Sequence, residues 1–207
     1  MTGKTARAGL ALMALVASSP AMAHHVMGGR MPTTFMDGLL SGLGHPVIGI
    51  DHFAAVVAVG CIAAAHSAGA LLAVGFVAAM IAGVAVHLGG ASVPGSEILV
   101  ALSVILLGVV TLRKQAMPVA PALGLFAAVG LLHGYALGES IYGAEATPLS
   151  AYLLGLALIQ SAIALAAMSI ARMLTQRGGE AATVRLIGAG IAGVGLAVLV
   201  QQFVPAA

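Results

Sequence analysis

"PVIGIDHFAAVVAVGCIAAA", residues Pro46 to Ala65, is a run of twenty residues in which only Asp51 and His52 are strongly polar. An α-helix of roughly 20 residues is needed to cross the hydrocarbon core of a bilayer. The run therefore predicts a transmembrane helix. Its two polar side chains are unexpected there, because ionisable groups are costly in hydrocarbon and usually mark an ion or substrate path.

The rest of the chain repeats this apolar character. Of the 207 residues, 61% are hydrophobic and 7% are charged. Eight basic and six acidic residues are too few for a nucleic-acid interface. Five further apolar segments predict five more spans: Ala70 to Leu88, Glu97 to Leu112, Pro121 to Ala136, Leu149 to Met173 and Val184 to Val204. The sequence thus predicts an all-α polytopic membrane protein with six transmembrane helices, for which the lipid bilayer is the surrounding partner.

The N-terminus resembles a secretory signal peptide, residues 1–23. Lys4 and Arg7 precede a short apolar run, and Ala21-Met22-Ala23 forms a small-residue cleavage site. We therefore expect a cleaved signal peptide, a periplasmic N-terminal arm at 24–44, and a six-helix transmembrane domain at 45–207.

Basic residues predict the orientation of the spans. Five of them fall after the odd-numbered spans or at the start of the sixth: Arg113, Lys114, Arg172, Arg177 and Arg185. The segments on the other side hold only Arg30. Since cytoplasmic loops are enriched in Lys and Arg, both mature termini are expected to be periplasmic, in a bacterial inner membrane. Six spans also divide into halves of opposite orientation, which is compatible with a 3+3 inverted repeat.

The polar residues of the first span define a candidate site. Proline is favoured at the first position of a helix, so Pro46 is expected to begin the span with His45 as its cap residue. His45 and His52 then project from nearly the same face, while Asp51 is about 100° away. Either Gly49 relaxes the helix so that all three side chains converge, or Asp51 acts indirectly by orienting an imidazole.

Other histidines and one carboxylate are expected near the same outer surface. His87 ends the second span, His133 lies near the end of the fourth, and Glu139 follows it. Imidazole and carboxylate ligands suit nickel, cobalt, zinc or copper(II), so a divalent transition metal ion is the expected substrate. His66 falls on the inner side, where it is a candidate exit ligand. In the arm, His24, His25 and Met27 are candidates for metal capture, and thioethers there would favour copper.

Two motifs resemble those of the HupE/UreJ family. "HPVIGIDH", His45 to His52, is similar to its H-x5-D-H pattern, and "HGYALGES", His133 to Ser140, is similar to its second histidine motif. The resemblance extends over essentially the whole chain. It implies a secondary permease for nickel or cobalt that supplies hydrogenase or urease maturation. It also implies metal handling by His45, Asp51 and His52, supported by His133 and Glu139, and no enzymatic activity.

Other functions stay open on the sequence alone. His and Asp side chains could hold zinc in a membrane metalloenzyme, and the methionines of the arm leave a copper or zinc transporter, or a metal-binding accessory protein, as alternatives. His52 and His66, fourteen residues apart, could ligate haems, although no second span carries a matching pair. Homo-oligomerisation is also left open. "GAGIAG", Gly188 to Gly193, lies in an apolar span without a preceding strand, so it predicts close helix packing and not dinucleotide binding.

Overall fold

The computed structural model describes residues 30–176 and 181–204, and these residues form seven α-helices, one short 3-10 helix and no strand. The α-helices are α1 (Phe35–Ile48), α2 (Ile50–Ala63), α3 (Gly69–Leu88), α4 (Ser96–Thr111), α5 (Val119–Gly138), α6 (Ala146–Gln176) and α7 (Ala181–Gln201), and the 3-10 helix Glu139–Ile141 follows α5. The all-helical prediction is confirmed for this part of the chain. The predicted signal peptide, and His24, His25 and Met27 of the arm, lie outside the described residues.

The first helix begins upstream of the predicted span. Thr34 caps it: the Thr34 hydroxyl accepts a hydrogen bond from the Asp37 backbone N–H at 3.1 Å, and the Asp37 carboxylate accepts one from the Thr34 N–H at 3.2 Å. This reciprocal capping box satisfies two backbone donors that a helix start would otherwise leave unpaired. The last ten residues of the predicted arm, from Phe35 onward, therefore lie in α1.

A break at Gly49 divides the predicted first span. Gly49 has extended backbone angles and both ends α1 and begins α2, so the two helix axes differ in direction by 77°. The expectation that Pro46 begins a helix with His45 as its cap is wrong, because both residues lie within the last turns of α1. The proline ring removes one backbone bond and crowds the preceding turn, which favours a break soon after it. Relaxation at Gly49 is one of the two alternatives that the sequence leaves open, and the structure has a helix break at that residue.

Helix length distinguishes the remaining spans. Four helices, α3, α5, α6 and α7, are long and apolar enough to cross a membrane, and the bent pair α1 and α2 together passes the same test. Helix α4 corresponds to the predicted third span, but it has 16 residues, which is below the roughly 20 that a straight crossing needs. The described residues therefore contain four or five candidate spans of full length, against the six expected from sequence.

Three helix pairs build the bundle: α3 with α5, α1 with α6, and α4 with α7. Glycines make the first two pairs close. A Cβ atom at Gly134 of α5 would overlap the Met80 carbonyl of α3, and one at Gly42 of α1 would overlap the Tyr152 carbonyl of α6. In a bilayer the hydrophobic effect does not drive helices together, so their association depends on close packing. Glycine allows the two backbones to come into direct contact. The α1–α2 break lies near the end of α5, since the rings of His52 and His133 are 5.0 Å apart between centroids.

Candidate functional site

His52 stands at the first turn of α2 with its imidazole held by its neighbour. Its Nδ1 lies 3.0 Å from Oδ1 of Asp51, and the same oxygen accepts the His52 backbone N–H at 2.8 Å. A carboxylate can only accept, so Nδ1 carries the proton and donates it. The other ring nitrogen, Nε2, is buried and has no hydrogen-bond partner among the described residues. Its lone pair is therefore available.

His133 of α5 has the opposite ring nitrogen tied. Ser103 of α4 donates its hydroxyl proton to the Val100 carbonyl at 2.7 Å, and Oγ lies 2.8 Å from Nε2 of His133. Since the hydroxyl proton is already used, Nε2–H of His133 donates to Oγ. That leaves Nδ1 as the bare nitrogen, and it too is buried without a partner in the described part of the chain. Ser103 thus acts on His133 as Asp51 acts on His52.

The histidine cluster, His45, Asp51, His52 and His133, is assembled from three helices. The rings of His52 and His133 are 5.0 Å apart between centroids at 65°, and those of His45 and His52 are 6.0 Å apart. All four side chains are buried, with His133 fully so. Because α1 turns into α2 at Gly49, His45 can face His52 across the bend. The break therefore brings residues seven positions apart into one group.

The cluster can offer lone pairs to a cation. Holding one imidazole nitrogen by an acceptor fixes the tautomer and raises the basicity of the other, as outer partners do in metal sites. Neutral imidazole is a ligand for nickel, copper, zinc and iron. Among residues 30–176 and 181–204, however, no three His, Cys, Asp or Glu side chains are grouped closely enough to hold an ion. The arrangement is an open cluster and not a closed cage.

Comparison with known families matches residues 11–198 to the family described as HupE / UreJ protein. The match covers most of the chain. The chain belongs to the HupE/UreJ family. Protein HupE of Rhizobium leguminosarum bv. viciae is 33% identical over 121 residues, which cover 58% of this chain and 61% of that relative. The chain therefore matches less than two thirds of the relative's length. Comparison with solved structures gives no match.

Both histidine motifs of this HupE/UreJ protein contribute to the cluster. His45, Asp51 and His52 come from "HPVIGIDH", and His133 comes from "HGYALGES". The two segments are about 80 residues apart in the chain, yet their imidazoles are in ring contact. Helix α4 lies between them in the packing: it contacts both α2 and α5, and its Ser103 holds His133.

Two of the other predicted ligands of the HupE/UreJ chain lie elsewhere. His87 is half-buried at the end of α3, where its ring packs edge-on against Tyr135 at 4.6 Å and Tyr142 at 5.6 Å between centroids. Its Nδ1 has no hydrogen-bond partner in the described residues. Glu139 begins the 3-10 helix after α5 and is exposed. Neither side chain is in contact with His52 or His133 in the described structure.

His66, the predicted inner ligand, is buried in the turn between α2 and α3. Its Nδ1 lies 3.2 Å from the Ile62 carbonyl oxygen, and its Nε2 lies 2.8 Å from that of Met117. Both ring nitrogens therefore lie within hydrogen-bond distance of a carbonyl oxygen, and a neutral imidazole, with its single N–H, donates to one of the two. His52 and His133 differ, because their second nitrogen has no such neighbour among the described residues. The contact pattern of His66 is typical of a structural histidine that joins two loops.

A cavity of about 320 Å³ lies at the end of the bundle that His66 occupies, opposite the histidine cluster. Its lining includes three basic residues, Arg113, Lys114 and Arg185. A fourth, Arg172, donates hydrogen bonds to the carbonyls of Ala64 and His66. The basic end, defined by these four residues, is therefore electrostatically unfavourable for a divalent cation.

Sequence reasoning missed two polar residues of the bundle interior. Ser103 contacts His133, and Gln160 of α6 is fully buried with its amide unpaired within the described residues. Both are polar residues in the middle of predicted spans, which is the signal that could have found them. The glycines Gly130, Gly134 and Gly138, spaced by four, likewise indicate the face of α5 that packs on α3.

Proposed function

We propose that this protein is a secondary transporter that takes up a divalent transition metal ion through the histidine cluster. Ni²⁺ is the first proposed substrate, and Co²⁺ is the second. The ion supplies the maturation of a metalloenzyme such as hydrogenase or urease, which is the role attributed to the HupE/UreJ family. Net transport then runs down the ion's own gradient or is coupled to another one.

One observation supports this proposal above the others. Two buried imidazoles in ring contact, His52 and His133, each have one nitrogen tied to an acceptor and the other without a hydrogen-bond partner among the described residues. Leaving two such nitrogens unpaired inside an apolar bundle is costly. A metal ion, bound from one side and released to the other, would satisfy both. The open grouping fits a site that must release its ion, whereas structural metal sites are closed.

The distribution of charge supports the proposed orientation. The carboxylate of Asp51 stands in the cluster, and the basic end lies at the opposite side of the bundle. With Lys and Arg on the cytoplasmic side, the cluster faces the periplasm. We place the protein in the inner membrane with six crossings, the bent pair α1 and α2 counting as one and α4 as a short one.

The packing also supports the proposed inverted repeat. Suppose that crossings one to three correspond to crossings four to six. Exchange of the two halves then converts the pair of the second and fourth crossings, α3 and α5, into the pair of the fifth and first, α6 and α1. It leaves the pair of the third and sixth unchanged. These are the three pairs that pack most extensively: α3 with α5, α1 with α6, and α4 with α7. Sites in such transporters lie at a broken helix near the repeat interface, as the Gly49 break does here.

Uptake by purified protein tests the proposal directly. Wild-type protein in proteoliposomes is expected to accumulate radioactive Ni²⁺ above the level of empty liposomes. A His52→Ala variant is expected to show none, because it lacks the lone pair with which His52 binds the ion. His66→Gln is the matched control, since His66 is engaged with backbone carbonyls, and it should retain uptake.

Three results would contradict the proposal. Wild-type accumulation no greater than in empty liposomes rules out transport of nickel, and repetition with Co²⁺ separates the two metals. Equal uptake by wild type and His52→Ala would show that the ion does not pass through the histidine cluster. Stoichiometric zinc that survives dialysis of the purified protein would favour a metalloenzyme, whose metal is retained.

A further inference from the structure

Gln160, in the middle of α6, is the least explained polar residue of the bundle. Its side chain is fully buried, and neither its amide oxygen nor its amide nitrogen has a hydrogen-bond partner among the described residues. Buried amides are almost always paired, and the requirement is strictest where lipid excludes water. Packing alone does not account for a glutamine at this position.

The depth of Gln160 follows from the register of α6 against α2. Gly60 of α2 packs against the turn of α6 from Ala164 to Met168, and further along both helices Ala64 accepts a hydrogen bond from Arg172. The two helices therefore run in the same direction where they touch. At 1.5 Å per residue, a position four residues earlier on either helix lies about 6 Å nearer the histidine cluster.

Gln160 lies four residues before Ala164, and Val56 lies four residues before Gly60. Val56 is in turn one helical turn beyond His52. Because Gly60 faces the turn from Ala164 to Met168, Gln160 lies between the levels of His52 and Val56, at most about 6 Å further toward the basic end than His52. It faces inward with its neighbours on that side of α6, since Leu156 and Ala164 are both fully buried.

Polar groups are otherwise grouped at the two ends of the bundle. Within the described residues, the other buried polar side chains lie near the cluster (Ser41, His45, Asp51, His52, Ser103 and His133) or at the basic end (His66 and Thr111). The level between them is built from large apolar side chains such as Phe76 and Phe126. Gln160 is the buried polar group that stands between the two ends.

We propose that Gln160 is a second binding position for the transported divalent ion, within one helical turn of His52 on the inner side of the histidine cluster. Its amide oxygen receives the ion after His52 and His133 release it, either directly or through a water that the ion retains. A neutral oxygen holds a transition metal less strongly than imidazole does. Weak binding suits this position, because conduction requires sites that an ion can leave. The inference depends on the transport function proposed above.

The test separates capture of the ion from its passage. Gln160→Leu removes the amide and puts an apolar side chain of similar size in its place. We expect the maximal rate of Ni²⁺ uptake in proteoliposomes to fall by about 10-fold or more, whereas the KM for uptake stays within about twofold of wild type. The Kd for Ni²⁺ in detergent should also be unchanged, since the cluster that captures the ion is intact.

Matched variants distinguish passage from packing. Gln160→Glu keeps an oxygen at the same place and should restore part of the rate, whereas Gln160→Met, of similar length without the amide, should not. Leu156→Met changes a buried neighbour without altering polarity and should keep the wild-type rate. Normal Ni²⁺ affinity in each variant shows that it is folded.

The outcomes for the two proposals differ. A wild-type maximal rate in Gln160→Leu, with uptake by the wild-type protein established, overturns the role of Gln160 and leaves the transporter proposal intact. So does a loss of rate that Gln160→Met restores as well as Gln160→Glu, because it points to packing. Absence of uptake by the wild-type protein overturns the transport function and the role of Gln160 together.

Discussion

Histidines at the two ends of the bundle have opposite hydrogen-bonding states. His66 has both ring nitrogens within hydrogen-bond distance of backbone carbonyl oxygens, 3.2 Å and 2.8 Å away. His52 and His133 each have one nitrogen tied to a side chain and one without a partner in the described residues. All three are buried. Burial therefore does not distinguish a structural histidine from a candidate ligand, but the neighbour of the second ring nitrogen does: it is a carbonyl oxygen at His66, and no partner is present at His52 or His133 among the described residues.

The charges around these histidines differ as well. Asp51 adds a carboxylate to the histidine cluster, whereas Arg172 donates hydrogen bonds to the Ala64 and His66 carbonyls at the basic end. A divalent cation is attracted to the first environment and repelled by the second. The same residue type is thus expected to bind metal at one end and to join loops at the other.

The largest effect is expected from His52→Ala. We predict that the affinity for Ni²⁺, measured by titration calorimetry in detergent, falls by more than about 100-fold, since loss of an outer partner alone costs about 10- to 100-fold. The variant loses the imidazole that contacts both Asp51 and His133. Its thermal unfolding should shift to a lower temperature, because alanine also removes the Nδ1–H that donates to the buried Asp51 carboxylate. Circular dichroism of the variant at the temperature of the titration shows that it is folded.

The matched comparison for this prediction is His66→Gln. It removes a histidine from the basic end and should leave the Kd for Ni²⁺ within about twofold, since carbonyl oxygens stand next to both ring nitrogens of His66 and four basic residues lie at the same end of the bundle. If His66→Gln weakened Ni²⁺ binding as much as His52→Ala does, hydrogen-bonding state would not separate the two kinds of histidine.

An intermediate effect is expected from Asp51→Asn. The amide oxygen can still accept the His52 backbone N–H, but a neutral group holds the Nδ1 proton less strongly than a carboxylate does. Affinity for Ni²⁺ should fall by about 10- to 100-fold, as for other outer partners of metal-bound histidine. X-ray absorption at the nickel edge checks the role: the wild-type and variant spectra should show the same nitrogen ligands. A missing oxygen ligand in the variant would mean that Asp51 binds the ion directly.

Some of the fold could be predicted from local sequence, and some could not. Apolar segments of about 20 residues predict α3 and α5 to within two residues at each end. The start of the first helix was misplaced because Pro46 is favoured at a helix start, while the capping box formed by Thr34 and Asp37 begins α1 earlier. Proline position and capping are competing local signals, and the two cap hydrogen bonds decide the outcome here.

The candidate site was predicted in its residue types more fully than in its contacts. The spacing of His45, Asp51 and His52 indicates a polar group in the first span, but the 77° bend that brings His45 toward His52 depends on how α1 packs on α6. The pairing of His133 with Ser103 joins residues 30 positions apart. Such contacts depend on tertiary packing, which single-sequence periodicity does not encode.

The smallest effect is expected from His66→Leu, and it concerns stability and not binding. Its imidazole connects the turn after α2 to Met117, just before α5, and leucine leaves the two carbonyl oxygens without this partner. The free energy of unfolding should fall by about 1–3 kcal/mol, the usual cost of stranding buried polar groups. Thermal unfolding in detergent measures the loss, and Ni²⁺ affinity should not change. His66→Gln should lose less stability, because an amide N–H can still donate to one of the carbonyls. Equal losses of unfolding free energy in the two variants would show that the imidazole stabilises this end by packing alone. The hydrogen bond of His66 would then contribute nothing measurable to stability.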